Sequence, residues 1–318
     1  VDAAPALSVV VPFFNEEDNI DALFGRLLPS LRALGRPFEV VCVDDGSRDR
    51  TLEMLLAARR ANPEIVVKSF ARNFGQHAAV TAGLAAARGA FVVTLDADLQ
   101  NPPEEVAKLV AEFDAGHDYV GTIRMHRDDS GFRKFASKIV GGTTRKMSGL
   151  PIKDFGCMLR GYSREIAHEI AARHETRTFI PALGFLFSKS PVEIEVKHEA
   201  RHEGQSKYSF LNLIRLNFDL MSGFSVAPLR LLFTAGLFVG FVGFVLFAYI
   251  VVERIVHSDD PDKWTQGGVF TLFGILFLFV GAQFVAFGLL GEYIGRILQT
   301  VRRRPSYVLR ELDKEPRA

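Results

Sequence analysis

Two charge-free stretches near the C-terminus constrain this chain more than any other feature. Leu231 to Val252 spans 22 residues and Thr265 to Gly291 spans 27 residues without Asp, Glu, Lys or Arg. At about 1.5 Å rise per helical residue, either stretch can cross a hydrocarbon core of about 30 Å. A pair of buried core helices is the weaker alternative, because soluble helices seldom run so long without a polar face. The connection from Glu253 to Trp264 carries two bases against four acids. The segment after Glu292 carries seven bases, Arg302, Arg303 and Arg304 among them, against three acids. Positive charge is retained on the cytoplasmic side, so the hairpin is expected to leave both its flanks there, with Tyr249 and Trp264 as interfacial anchors. The expected division is a cytoplasmic region over 1–228, a transmembrane hairpin over 229–292 with spans near 231–252 and 267–290, and a basic cytoplasmic tail over 293–318.

Composition narrows the rest. Among 318 residues, Lys plus Arg is 38 and Asp plus Glu is 37, a net charge of +1. That balance argues against a nucleic-acid or polyacid binder, so any basic function must be local. A hydrophobic share of 48% excludes a disordered chain, and the mean hydropathy of +0.14 is high for a soluble one. Cys42 and Cys157 are the only cysteines. They are too few for a disulfide framework or a cysteine-based zinc site, which suits a reducing compartment. The first ten residues lack the basic and apolar regions of a signal peptide, so none is expected.

The N-terminal region alternates short apolar runs with helical spacing. Leu7–Pro12, Phe38–Val43, Ile65–Phe70 and Phe91–Leu95 read as strands. Asn19–Leu34, Thr51–Ala61, Ala78–Ala87 and Pro103–Ala115 read as helices between or after them. This pattern predicts an α/β fold with a parallel sheet covered on both faces. Ligands of such sheets bind beyond the carboxyl ends of the strands. The expected loops there are Pro12 to Glu17, Asp44-Asp45-Gly46-Ser47, Arg72-Asn73-Phe74-Gly75 and Asp96 to Gln100.

Asp96 and Asp98 stand one residue apart at a strand end and can face the same way. Such a pair repels itself unless a cation lies between, and hard oxygen ligands suit Mg2+ or Mn2+. Gln100 can add an amide oxygen. The bland alternative is a solvated turn. Asp45 stands where an acid commonly holds a ribose or base, or else caps the next helix. Arg72 is a candidate for neutralising a diphosphate, or for pairing with a neighbouring acid. The chain has no GxGxxG after its first strand and no GxxxxGK[ST], which argues against dinucleotide oxidoreduction and P-loop phosphoryl transfer.

In order and spacing, VVVPFFNEE, VDDGS, ARNFGQH and TLDADLQNPPEE resemble a GT-A glycosyltransferase of family 2. GTIRMHR, RKFASK, KDFGCMLRGY, FIPAL, RHEGQSKYSF and GLLGEYIGRI extend the resemblance to polyprenyl-phosphate glycosyltransferases. Among these the chain is similar to bacterial undecaprenyl-phosphate 4-deoxy-4-formamido-L-arabinose transferases and their glucosyl relatives. The resemblance covers nearly the whole chain. It is specific for the family and much less so for the sugar.

The resemblance implies a Rossmann-like GT-A domain followed by interfacial helices and two membrane helices. It implies inverting transfer from a nucleotide sugar, usually a UDP-sugar, to a polyprenyl phosphate for cell-envelope glycan or lipid A modification. It further implies a bacterial inner-membrane location and a homotetramer. Asp96, Asp98 and Gln100 would form the metal and diphosphate group. Pro12, Asn15, Glu17 and Asp45 would line the nucleoside pocket. Arg124, Arg127, Arg201 and Lys207 would contact the acceptor phosphate; otherwise they form a solvated basic face near anionic lipid. Asp154 would serve as general base or as an orienting group for the sugar. A phosphate monoester has a second pKa of about 6, so the acceptor needs less help from a base than a hydroxyl would. Cys157 reads as a packing residue, since inversion needs no covalent enzyme intermediate.

Two segments, Phe132 to Ile139 with interleaved basic residues and Phe210 to Met221 with helical apolar spacing, are expected on the membrane surface, with ordinary core packing as the alternative. A processive polysaccharide synthase would carry a Gln-x-x-Arg-Trp motif, and the sole Trp lies in the connection between the spans. The alternative outside enzymology is a membrane scaffold or transporter that only binds nucleotide sugar. The absence of ionisable residues from both spans disfavours it.

Overall fold

The computed structural model describes residues 5–124, 152, 154, 156–173, 180–199, 227–256, 268–302 and 307–310. The chain forms two compact units. One comprises Val1–Leu213 with Arg303–Ala318, the other Ile214–Arg302.

The first unit is built on a seven-stranded sheet. Its strands are β1 (Leu7–Phe13), β2 (Phe38–Asp44), β3 (Ile65–Ser69), β4 (Phe91–Thr94), β5 (Tyr119–Arg124), β6 (Arg160–Ser163) and β7 (Pro191–Val196). Their order is β3-β2-β1-β4-β6-β5-β7. The four apolar runs predicted as strands all form, paired in parallel across β3-β2-β1-β4. Val9, Val10 and Val11 are fully buried, as a central strand covered on both faces requires. The sheet is not wholly parallel, however. β6 runs antiparallel to both neighbours, with Arg160 opposite Thr94 and Gly161 opposite Val120. Its sequence, RGYS, has no apolar run to mark it. Gly161 is required there, because an added Cβ would lie 2.2 Å from the Phe91 ring.

Helices α1 (Ile20–Arg32), α2 (Thr51–Ala61), α3 (Gln76–Ala86) and α4 (Val106–Asp114) follow the first four strands. Ile20, Leu23, Leu27 and Leu31 repeat at helical spacing and are buried to 1% exposure or less, which fixes the inner face of α1. α3 lies unusually close to the sheet. Gly83 allows this, since a Cβ there would meet Val10 Cγ1 at 2.2 Å. Two further helices, α5 (Arg164–Ala172) and α6 (Ile180–Phe187), complete the described part of this unit. The Ser163 hydroxyl caps α5 by accepting from the Ile166 N–H.

At the amino edge of the sheet, the Ser8 hydroxyl donates to Glu39 at 2.6 Å, and Arg88 donates to the same carboxylate through its backbone and its guanidinium. This buried acid is therefore satisfied structurally, on the edge opposite the candidate loops. The segment read from the sequence as a separate tail also contributes to this unit. Residues 307–310 lie against the end of β3, with Phe70 and Leu309 forming an antiparallel bridge.

The second unit contains α7 (Ala227–Val256) and α8 (Gly268–Arg302), 30 and 35 residues long. Both uncharged stretches fall almost wholly within them. Phe233, Phe238 and Phe241 on α7 and Phe284 and Phe287 on α8 are all more than half exposed. Many side chains of these two helices lie outside the described residues. Among the described residues, no helix is long and apolar enough to cross a membrane. The two expected amphipathic surface segments, 132–139 and 210–221, also lie outside the described residues.

Candidate active site

The loops beyond β1 to β4 meet at the carboxyl edge of the sheet. Two of them are stitched together by reciprocal hydrogen bonds. The Asn15 N–H donates to Ser47 Oγ at 3.0 Å, and the Arg48 N–H donates to Asn15 Oδ1 at 2.9 Å. Asn15 adopts a left-handed φ of 55°, a conformation that Asn tolerates better than most side chains. The Glu17 N–H donates to Asp49, while the Glu17 carboxylate accepts from Arg50. Burial works against ionisation of Asp49. Bonds from Thr51 and the Glu17 N–H outweigh it and hold the Asp49 carboxyl below its ordinary value. Pro12 is buried in β1 opposite Val43, just beneath this rim.

Asp45 ties the second loop to the third. Its Oδ2 accepts from Asn73 Nδ2 and the Gly75 N–H, both at 2.9 Å, and its Oδ1 accepts from the Phe74 N–H at 2.7 Å. Burial pushes the Asp45 carboxyl above its ordinary value. The two backbone donors pull it partly back, and neighbouring Asp44 adds to the rise. Asp45 therefore holds the loop over 73–75. Asp44 is committed too, accepting from Ser69 Oγ and the Ser47 N–H. Gly46 makes the close approach possible. At φ +67°, its Cβ would lie 2.5 Å from the Arg72 carbonyl carbon.

Arg72 places its guanidinium 4.1 Å from the centroid of the Phe74 ring and donates to Asn73 O. It is exposed at the rim. Gln76, the first residue of α3, donates to Asp96 Oδ1 at 2.7 Å. The third loop thus reaches both Asp45 and Asp96. Sequence reasoning had not singled out Gln76, Asn73 or Asp49. Their only signal was position, as polar residues in or beside loops that follow buried strands.

Beyond β4, burial alternates. Ala97 and Leu99 enter the hydrophobic core, whereas Asp96, Asp98 and Gln100 are half-buried. Leu99 turns the chain at φ 59°. Asp98 Oδ1 accepts from the Gln100 N–H at 3.2 Å. Among the described residues, no group of three or more His, Cys, Asp and Glu side chains assembles. Two carboxylates and an amide oxygen fit a hard cation that draws its remaining ligands from phosphate oxygens and water.

Asp154 reaches the same rim from the opposite chain direction. It precedes antiparallel β6, whose first residue pairs with the last of β4. Thr94 Oγ1 donates to Met158 O at 2.6 Å, fixing this approach. Asp154 is 6% exposed and grips Arg124, with Nε to Oδ2 at 2.8 Å and Nη2 to Oδ1 at 3.0 Å. The Gly156 N–H also donates to Oδ1. Beneath lies Arg160, 1% exposed, whose guanidinium donates to the backbone carbonyls of Asp154 and Cys157 and to the Tyr119 hydroxyl. A fully buried arginine was not expected from the sequence. Burial pushes the Cys157 thiol up, against nucleophilic use.

The structure thus brings together Pro12, Asn15, Glu17, Asp45, Arg72, Asp96, Asp98 and Gln100 along one edge. Arg124, expected as a phosphate contact, holds Asp154. The other expected acceptor contacts, Arg127, Arg201 and Lys207, lie outside the described residues.

The chain is similar to several known proteins. The family model described as Glycosyl transferase family 2 matches residues 8–171. A second, described as GtrB C-terminal hairpin, matches residues 227–297. The undecaprenyl-phosphate 4-deoxy-4-formamido-L-arabinose transferase of Proteus mirabilis is 47% identical over 307 residues, 96% of this chain and 93% of its own. The protein of the same name from Pectobacterium atrosepticum is 46% identical over 313 residues, 98% and 94% of the two chains. Among solved structures, glucosyl-3-phosphoglycerate synthase from Mycobacterium tuberculosis in complex with uridine diphosphate aligns at a TM-score of 0.49 and 20% identity, covering 69% of this chain and 79% of that one.

Proposed function

The chain belongs to glycosyl transferase family 2, and from that premise we propose that it moves a sugar, with inversion, from a nucleoside diphosphate sugar to undecaprenyl phosphate. The observation that carries the acceptor is identity of 46–47% kept across 96–98% of the chain to relatives named for undecaprenyl phosphate. The donor reading is supported by the convergence of the Asn15, Asp45 and Asp96 loops on one sheet edge, where α/β sheets take nucleotides. Uridine is the base by resemblance.

Asp96, Asp98 and Gln100 would hold Mg2+ or Mn2+, which when bound neutralises charge on the leaving diphosphate. Arg72 would add positive charge at the rim. Asn15, Glu17 and Asp45 shape the nucleoside side by locking three loops to one another. Of the two roles open to Asp154, orientation of the sugar suits its geometry, because both oxygens already accept from Arg124. The acceptor phosphate is largely dianionic at neutral pH and attacks without a strong base. Arg127, Arg201 and Lys207 would position it.

The hairpin is read as two membrane spans. That reading rests on the charge-free stretches of the sequence, 22 and 27 residues long, each of which at about 1.5 Å per helical residue can cover a hydrocarbon core of about 30 Å. The charge asymmetry of the flanks puts the catalytic unit on the cytoplasmic side of a bacterial inner membrane. Assembly as a homotetramer follows the resemblance, as does use of the product in cell-envelope glycan or lipid A modification.

The test uses the full-length protein in vesicles containing undecaprenyl phosphate, with a panel of radiolabelled UDP-sugars and Mn2+. Label is expected to enter the organic phase as a lipid phosphate sugar for one donor. If UDP binds but no donor yields extractable label, the transferase reading fails and a nucleotide-sugar-binding scaffold replaces it.

A further inference from the structure

The proposed mechanism leaves the C-terminal segment unused, yet that segment touches the donor side of the site. Residues 307–310 lie along β3, the edge strand of the sheet. The Ala71 N–H donates to Val308 O at 3.0 Å, and the Arg310 N–H donates to Ser69 O at 2.7 Å. Val308 and Leu309 remain about half exposed, so their side chains add little to the core. Tyr307 differs. Its ring stacks on Phe70 with centroids 4.9 Å apart and planes 15° from parallel. Phe70 is 2% exposed and meets Phe74 edge-on at 5.6 Å. Phe74 belongs to the loop that Asp45 holds and that Gln76 links to Asp96.

We propose that Tyr307 is a positioning residue for nucleotide binding: the docked C-terminal segment braces Phe70 and Phe74, and so holds the loop over 72–76 against Asp45 and Asp96. The inference rests on the transferase reading, which makes this loop part of the donor site. A bridge serving only to cover a sheet edge would need the backbone pairing alone. Here the packed side chain of the segment is the one that meets the loop's aromatic pair. Loss of that stack leaves Phe70 and Phe74 with fewer contacts and the loop with more conformations to surrender on binding.

The test is UDP titration by calorimetry, with Mn2+, on the full-length protein and three variants, alongside donor and acceptor KM. An aromatic pair is worth enough that Tyr307→Ala is expected to weaken UDP binding about three- to tenfold. Donor KM should rise with it, while acceptor KM stays unchanged. Tyr307→Phe keeps the ring and should restore wild-type affinity. Arg310→Pro removes the donor to Ser69 while keeping Tyr307, and should reproduce the donor-specific loss; it also serves if Tyr307→Ala fails to fold. Unchanged UDP affinity in both disruptive variants overturns the inference alone. So does an equal rise in both KM values, which marks a general loss of fold. A wild type that binds no UDP overturns the transferase reading, and this inference with it.

Discussion

Arg124 and Asp154 form a two-pronged ion pair, 2.8 and 3.0 Å, at the point where antiparallel β6 enters the sheet. Their side chains are only 17% and 7% exposed, so neither is well solvated without the other. Removing one partner of a buried pair costs about 3–5 kcal/mol, because the other charge is stranded.

Arg124 keeps 17% exposure, so Arg124→Ala is expected to lower stability by about 3 kcal/mol, the low end of that range, in urea unfolding. A double-mutant cycle with Asp154→Asn should show strong coupling. Asp154→Asn should also slow turnover by about a hundredfold through misplacement of the reacting sugar, while UDP binding is kept. Wild-type turnover in that variant would remove Asp154 from the site.

Asp98→Ala is expected to abolish metal-dependent transfer. The wild type should lose activity in EDTA and regain it with Mn2+ or Mg2+. Full activity of the wild type in a chelated sample would reject the assignment of Asp96, Asp98 and Gln100.

Gly46→Ala should displace the Arg72–Asn73 peptide, since its Cβ would lie 2.5 and 2.7 Å from that backbone. A residue forced into a left-handed conformation costs about 1–3 kcal/mol. The denaturation midpoint should fall and UDP affinity with it. If affinity holds while stability drops, the loop does not touch the nucleotide.

Asp49 supplies a pH dependence. Its folded-state carboxyl titrates below the ordinary value, so its contribution to stability is complete above the unfolded pKa of about 3.9 and is lost as pH falls through the folded value. Asp49→Asn should make acid unfolding less steep below about pH 4. An acid limb identical to wild type would show that the Glu17–Asp49–Thr51 bonds contribute nothing to acid sensitivity.

Arg201→Ala should raise the KM for undecaprenyl phosphate more than that for the donor. The reverse pattern would move Arg201 to the nucleotide side.

The half of the sheet made by β1 to β4 was legible because each strand is an apolar run closed by polar loop residues. Valines 9 to 11 left little choice. The other half was not. β6 is RGYS, and its place depends on Gly161 fitting beneath Phe91, a contact between residues 70 apart. The placing of polar residues at the ends of β1 to β4 was readable from the sequence. Their partners were not, since Asp45 to Phe74 and Gln76 to Asp96 are joined only by folding. Arg124 shows the limit well. Its pairing with Asp154, 30 residues further along the chain, is made only by the fold. The packing of Tyr307 on Phe70 could not be read either, because four residues of mixed character carry no periodicity.

The reversed direction of β6 has one more outcome. Six strands deliver their final residues to the rim, whereas β6 delivers the residues before its first. The acid on that approach is therefore metered from the Arg160–Thr94 register, six residues upstream, and not from a preceding helix. One residue inserted between Asp154 and Arg160 would leave the sheet pairing intact yet shift the carboxylate away from Arg124. The length of this short spacer is thus as much a part of the chemistry as the carboxylate itself.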